Sequence, residues 1–323
     1  REISIDEHRV SPLHYINGER ATSSESFEVF SPIDRRVLGN VALGLPEHVD
    51  AAIAAAQRAF PAWSALSAAT RRDYLHAFAA EIGKRKDAFC EVESTDAGLL
   101  LSRMQHGVVP RVMLNLTWFA DHALKLQDRT IETEQATHHV CHDPAGVCAI
   151  VTPWNAPLML TTWKLGPALA SGNTVVIKPP EWAPLTCSLL ADCAHAAGLP
   201  PGVVNIVQGC GAVTGAALVA DPRLARISFT GSVATAKLIA GAAAQNLVPC
   251  SLELGGKSPF IVLEDADVDA AAACGALMYR NATQVCLAGT RFLVHESVRD
   301  AFVTSMQRVV DKLTVGDPRD PAT

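Results

Sequence analysis

At 323 residues, with 49% hydrophobic and 19% charged side chains, the chain has an ordinary globular composition and room for two domains. A net charge of −6, a densest basic run (Lys84-Arg85-Lys86) on what reads as a solvated helix face, and no apolar run near the roughly 18 residues of a membrane span argue against nucleic-acid and membrane roles. The charged start REISIDEH is unlike a secretory signal, and nine cysteines without a CxxC pair read as reduced, mostly buried thiols, so the expected location is the cytoplasm.

Residues 11 to 45 read as short extended pieces and turns (HYINGER, ESFEVFSPIDRRVLGNV). The period then changes to helical in PEHVDAAIAAAQRAFPAW, RRDYLHAFAAEIGKRKDAFCEVE and VPRVMLNLTWFADHALKL. A polar, β-branched stretch within 128–145 predicts a two-stranded arm that leaves the body and serves as an oligomer contact. From Ala145, short β-rich runs (GVCAIVTP, NTVVIKP, VVNIVQG, RISFTG, SLELGG) alternate with helical segments. That alternation predicts an α/β fold: a doubly wound, Rossmann-like parallel sheet with ligands at the carboxyl ends of its strands. A second alternation begins at PFIVLEDADVDAAAACGALMY, so the expected division is a nucleotide-binding domain over 1–252 and the first part of a catalytic domain over 253–323. With no initiator Met and a loop-like tail, both ends read as cut, and a fragment is expected.

The chemistry concentrates between Leu252 and Arg291. There LELGGKSP sets Glu253 among apolar neighbours and NATQVCLAGTR sets Cys286 between Val285 and Leu287. A carboxylate able to act as base and a thiol able to act as nucleophile, one βα unit apart, suit thioester chemistry if the fold brings them together. Asn155 in TPWNAP either holds an oxyanion at a stiffened strand end or caps the helix starting at Pro157. Lys178 and Glu181 in VVIKPPE either bind ribose hydroxyls or form a surface salt bridge. Gly209, Gly211 and Gly215 give a near match to a dinucleotide fingerprint, and in FTGS Gly231 ends a strand while Ser232 can cap a helix facing a pyrophosphate. His138, His139 and His142 lack a carboxylate partner motif and alternate across a strand, so no metal is expected. GxSxG is absent, which leaves a serine hydrolase unsupported.

Five motifs in order, TPWNAP, VVIKPPE, FTGS, LELGGKSP and QVCLAGTR, resemble the NAD-dependent aldehyde dehydrogenase superfamily, over essentially the whole chain. Members of that family are about half as long again, and the resemblance places the remainder of a catalytic domain beyond residue 323. It implies Cys286 as nucleophile, Glu253 as general base, and Asn155 with the Cys286 amide as oxyanion donors. It also implies NAD, held by Thr152, Trp154, Lys178, Glu181, Gly211, Gly231, Ser232 and Gly256, with Trp154 at the nicotinamide end. Two positions depart from the pattern: Ala236 replaces a glycine after FTG, and Thr283 replaces one before Gln284.

The run from TPWNAP to EWAP looks most like the branch acting on hydroxymuconic semialdehydes, including the carboxymethyl form, from aromatic-ring breakdown. Such anions call for a basic receptor, for which Arg103 and Arg111 are the candidates. Betaine-aldehyde or aliphatic-aldehyde oxidation, and an NAD-binding fragment without turnover, are the alternatives. A structural role for the same fold is a third class. The resemblance implies a homodimer or homotetramer.

Overall fold

The computed structural model describes residues 1–323. Its main sheet has seven strands: β1 (His14–Ile16), β2 (Glu19–Ala21), β3 (Val147–Val151), β4 (Thr174–Lys178), β5 (Val204–Ile206), β6 (Leu224–Gly231) and β7 (Cys250–Leu254), in the order β7-β6-β3-β4-β5-β1-β2. The strands β3 to β7 run parallel, as the alternation predicts. The edge was not foreseen: β1 and β2 form an antiparallel hairpin that pairs β1 antiparallel to β5. Asn17 (φ 55°) and Gly18 (φ 84°) make its two-residue turn, the left-handed pair that suits the twist of a hairpin.

Period 2 along the inner strands explains the two helical layers. Cys148, Ile150, Val175 and Ile177 point into the larger apolar cluster, and Val147, Ala149, Val151 and Val176 into the smaller. The larger is closed by α2 (Ala68–Lys84), α3 (Lys86–Ala97), α4 (Val109–Ala123), α5 (Pro157–Ala170) and α6 (Leu185–Ala196), after α1 (Pro46–Ser64) has delivered Trp63 to it. The smaller is closed by α1 itself, α7 (Ala216–Val219) and α8 (Val233–Gln245). The stretch read as helical from Arg71 to Glu93 breaks at Arg85 (φ −110°, ψ 23°), where α2 ends and α3 begins. The polar arm is present as strands Arg129–Glu132 and Thr137–Val140, paired antiparallel.

Glu253 pairs with Thr230 within the main sheet, and the chain leaves that sheet at Gly255. Beyond it, β8 (Ser258–Val262) and β9 (Gly289–Val294) pair in parallel and pack on α9 (Val268–Gly275) and α10 (Arg299–Val310) through Val262, Ala272 and Phe302. No helix is long and apolar enough to cross a membrane.

The hairpin edge carries a pH-sensitive group. His14 is fully buried, and its Nδ1 accepts a hydrogen bond from the Gln208 N–H at 3.1 Å. Burial, helped by the neighbouring His48, holds the imidazole down at about 4, so it stays neutral in the fold. Between about 6.5 and 4 the unfolded chain takes up a proton that the folded chain refuses. Stability from this group is therefore intact above 6.5 and is lost as pH falls through that window, by about 3 kcal/mol in total. Buried Glu93, raised to about 7, has the opposite slope between about 4.5 and 7, so wild-type stability alone would mask both. His14→Asn, which keeps an acceptor, isolates the term: urea unfolding across pH should show the wild type losing stability relative to the variant on acidification. A pH-independent gap would contradict this.

Candidate active site

Parallel pairing brings the expected site residues to one edge. Lys178 lies in register with Val151, Phe229 with Val151 and Gly231 with Leu254, so the loops after β3, β4 and β6 open on the same side as Glu253. The strand order reverses between β3 and β6, and a ligand crevice forms at such a switch point.

Glu253 and Cys286 line one cavity of about 510 Å³ between β6, β7 and α5. The fold therefore meets the condition that their sequence separation imposes. Glu253 is exposed rather than enclosed by its apolar sequence neighbours, since its side chain faces this open cavity. Cys286 is exposed as well, and its backbone N–H donates to no group in the chain. A Cβ on Gly256 would lie 3.6 Å from the Cys286 carbonyl oxygen, so this glycine sits against the nucleophile's backbone.

Asn155 does not cap the following helix: α5 has Ala156 as its N-cap and no side-chain cap bond. Its amide instead donates to the Gln284 carbonyl at 2.7 Å, and its own carbonyl accepts from the Asn281 side chain at 2.9 Å. These two bonds tie the β3 loop to the loop of Cys286 and leave Asn155 one amide hydrogen unused. Asn281, Ala282 and Thr283 take successive left-handed conformations (φ 54°, 51° and 67°). Thr283 thus stands in backbone that favours glycine, and its β-branch makes it a strained lead into the nucleophile turn.

Lys178 and Glu181 form an ion pair at 2.7 Å, but not a surface one, since the Lys178 side chain is 4% exposed. The buried ammonium holds the Glu181 carboxyl below its ordinary value against the opposing effect of burial. Glu181 also accepts from the Gly211 N–H at 3.4 Å. Ser232 caps α8 through the Thr235 N–H at 3.1 Å. Ala236, where the family pattern has glycine, packs its methyl into the smaller core. Thr152 is buried, its hydroxyl 3.3 Å from that of Thr161. Trp154 lies off the Cys286 cavity: its ring is 6.2 Å from that of Trp182, and with Glu181 they line a second cavity of about 330 Å³.

Neither Arg103 nor Arg111 lines the Cys286 cavity. Arg111 donates to Asn115 at 3.2 Å, and Arg103 is half-buried with one guanidinium nitrogen unbonded, held down first by burial and then by Arg280. The cations of that cavity are Arg226 and Lys164. Lys164, which the sequence reading passed over, donates to Ser228 at 3.0 Å. Burial lowers it to about 8 while the Glu253 carboxylate pulls the other way. Its signal was visible as a single charge in the otherwise apolar α5. Asn281 was missed because nothing local marks a residue whose partner is 126 positions away. The histidines of the arm bond locally, His139 to Thr130 and His142 to Asp128.

The arrangement defines a class: an α/β protein that holds a cysteine–glutamate pair in a cavity at the carboxyl edge of a doubly wound sheet. Within that class the chain belongs to the aldehyde dehydrogenase family, whose profile matches residues 19–323. It is 40% identical to the mitochondrial benzaldehyde dehydrogenase of Antirrhinum majus over 94% of this chain and 58% of the relative. The 2-aminomuconic semialdehyde dehydrogenase of Danio rerio is 38% identical over 96% of this chain and 64% of its own length. The P. syringae indole-3-acetaldehyde dehydrogenase AldA, solved as a mutant in complex with NAD+ and IAA, superposes with a TM-score of 0.96 at 35% identity, covering 99% of this chain and 66% of that structure. The chain thus spans about three-fifths to two-thirds of the length of these relatives.

Proposed function

We propose that the protein is an NAD-dependent aldehyde dehydrogenase that oxidises an anionic, hydroxymuconic-type semialdehyde to the acid. The observation that carries the reading is the convergence of Cys286 and Glu253 on one cavity, with Asn155 bonded to the nucleophile's loop. The Cys286 thiolate adds to the aldehyde carbon and forms the C–S bond. The carbonyl oxygen becomes an oxyanion that the free Cys286 N–H and the spare Asn155 hydrogen stabilise. NAD, held at the strand edge beside Glu181, would supply the hydride acceptor for the oxidation of this adduct to the thioester level. Glu253 then takes a proton from water as its oxygen attacks the thioester carbon; the C–S bond breaks, and the acid leaves a regenerated thiolate.

The residues present fit the cofactor. Glu181, held ionised by buried Lys178 and bonded to the Gly211 N–H, can accept two ribose hydroxyls and would repel a 2′-phosphate, which favours NAD over NADP. Thr152, Gly231, Ser232 and Gly256 flank the same edge, and the N-terminus of α8 suits the pyrophosphate. Trp154, beside Glu181 and off the Cys286 cavity, lies toward the ribose rather than at the expected nicotinamide end. The substrate's negative charge is supported by Lys164 and Arg226 in the cavity and by likeness to an aminomuconic semialdehyde enzyme. Arg111 is held to its own helix by its bond to Asn115 and would have to exchange that bond for one to substrate. Nine free cysteines support a reducing, cytoplasmic setting, and the exposed arm supports a homodimer or homotetramer.

The test follows NADH formation with a carboxylated hydroxymuconic semialdehyde beside a simple aliphatic aldehyde and betaine aldehyde, with NAD and with NADP. A higher kcat/KM for the anionic semialdehyde is expected. Preference for either other aldehyde would overturn the substrate assignment, and NAD binding without turnover on any of them would overturn the enzyme.

A further inference from the structure

One face of α3 carries two carboxylates three residues apart, Glu93 and Asp96, 0% and 2% exposed. Glu93 accepts from the Leu158 N–H at 3.2 Å and from the Thr186 hydroxyl at 2.7 Å. Asp96 accepts from the Leu185 N–H at 2.9 Å. Leu158 is in the first turn of α5 and Leu185 opens α6, and neither helix has a side-chain cap of its own, Ala156 and Pro184 standing at the cap positions. One orphan donor at each helix start is therefore met by a tertiary contact from a single third helix.

Stability alone does not call for this arrangement. Burial pushes the Glu93 carboxyl up to about 7 and Asp96 well above the usual carboxylate range, a cost that a local Ser or Asp cap at the helix start would avoid. What the arrangement adds is position. The helix α5 follows directly on the loop of Asn155, and α6 on the loop of Glu181.

We propose that Glu93 and Asp96 are positioning residues: from one helix they clamp the two strand-end loops that bring Asn155 to the reacting oxygen and Glu181 to the cofactor ribose. The proposal rests on the aldehyde dehydrogenase reading for the roles of those two loops, but not for the clamp itself. Because Asn155 acts on charge that develops in the transition state, loosening its loop lowers kcat; because Glu181 binds cofactor in the ground state, loosening its loop weakens NAD binding.

The test uses the whole chain with Glu93→Ala, Asp96→Ala and the conservative Glu93→Gln and Asp96→Asn. Glu93→Ala, which frees both Leu158 and Thr186, should lower kcat by about 10-fold or more and also weaken NAD binding, whereas Asp96→Ala, which frees Leu185 alone, should weaken NAD binding with kcat at saturating NAD largely kept. Each conservative variant, which retains an acceptor oxygen, should restore most of the loss. Hydrogen exchange, which needs no turnover, should show faster opening of residues 152–160 in Glu93→Ala and of 180–187 in Asp96→Ala. An inactive wild type would end the enzymatic reading while exchange and NAD affinity still judge the clamp. A fall in Tm alone, a loss of kcat in Asp96→Ala as large as in Glu93→Ala, or unchanged exchange would overturn the proposal. If an alanine variant does not fold, the paired conservative variant decides by the same exchange measurement: a normal segment supports the clamp and a globally loosened chain opposes it.

Discussion

Cys286→Ala is expected to remove NADH formation from every aldehyde, by roughly 10⁴-fold or more, while NAD binding stays as in the wild type. The physical ground is that no other group in the cavity replaces the thiolate. Cys148 also lines it, but this thiol is buried in the sheet and burial pushes it up to about 11, far from the thiolate form near neutral pH. The side chain of Cys286 is exposed, so its truncation leaves no buried void, and a stability loss is not expected. Steady-state NADH formation with NAD binding measured in parallel checks this. Residual turnover above a hundredth of the wild-type rate would remove Cys286 from the nucleophile's role.

Glu253→Gln should separate the two halves of the reaction. If Glu253 serves the hydrolytic half, thiolate addition and oxidation continue, and about one NADH per site forms rapidly before the steady rate settles roughly 10²- to 10⁴-fold lower. Glutamine keeps the shape of the side chain at this exposed strand position, where Glu253 pairs with Thr230 through backbone only, so the fold should be retained. Rapid-mixing measurement of NADH distinguishes the outcomes. Loss of the burst along with the steady state would mean that the carboxylate is needed earlier, to take the proton from Cys286. An added thiol or hydroxylamine should then fail to restore turnover, whereas it should restore it if only hydrolysis is impaired.

The clamp and the His14 edge rest on the same kind of contact. Three buried titratable groups, His14, Glu93 and Asp96, hold the hairpin edge and the two loop helices in place through hydrogen bonds to backbone N–H groups. Each is perturbed chiefly by burial, and each would be cheaper to replace by an apolar residue were its partner not also buried.

Much of the framework was legible in the residues themselves. The inner strands declare themselves as short β-branched runs because both sheet faces are covered, and the Ser232 cap and the Asn17-Gly18 turn follow from local backbone preferences. Cys286, Glu253 and Asn155 stand out because their chemistry is unusual for the segments that hold them. The break at Arg85 was not legible, since the apolar spacing continues on both sides of it.

By itself, then, the sequence determined the alternation of strands and helices, the residues that end each strand, and the chemical types available there, because these depend on neighbours a few positions apart. Only the tertiary structure decided that Lys164 faces Glu253, that Asn155 is bonded across 129 residues to the nucleophile loop rather than capping its own helix, and that α3 reaches two helix starts 65 and 89 residues away. Those pairings follow from the order in which the strands assemble and the layers close over them, and no local pattern encodes the partner of a side chain that must find it across the fold.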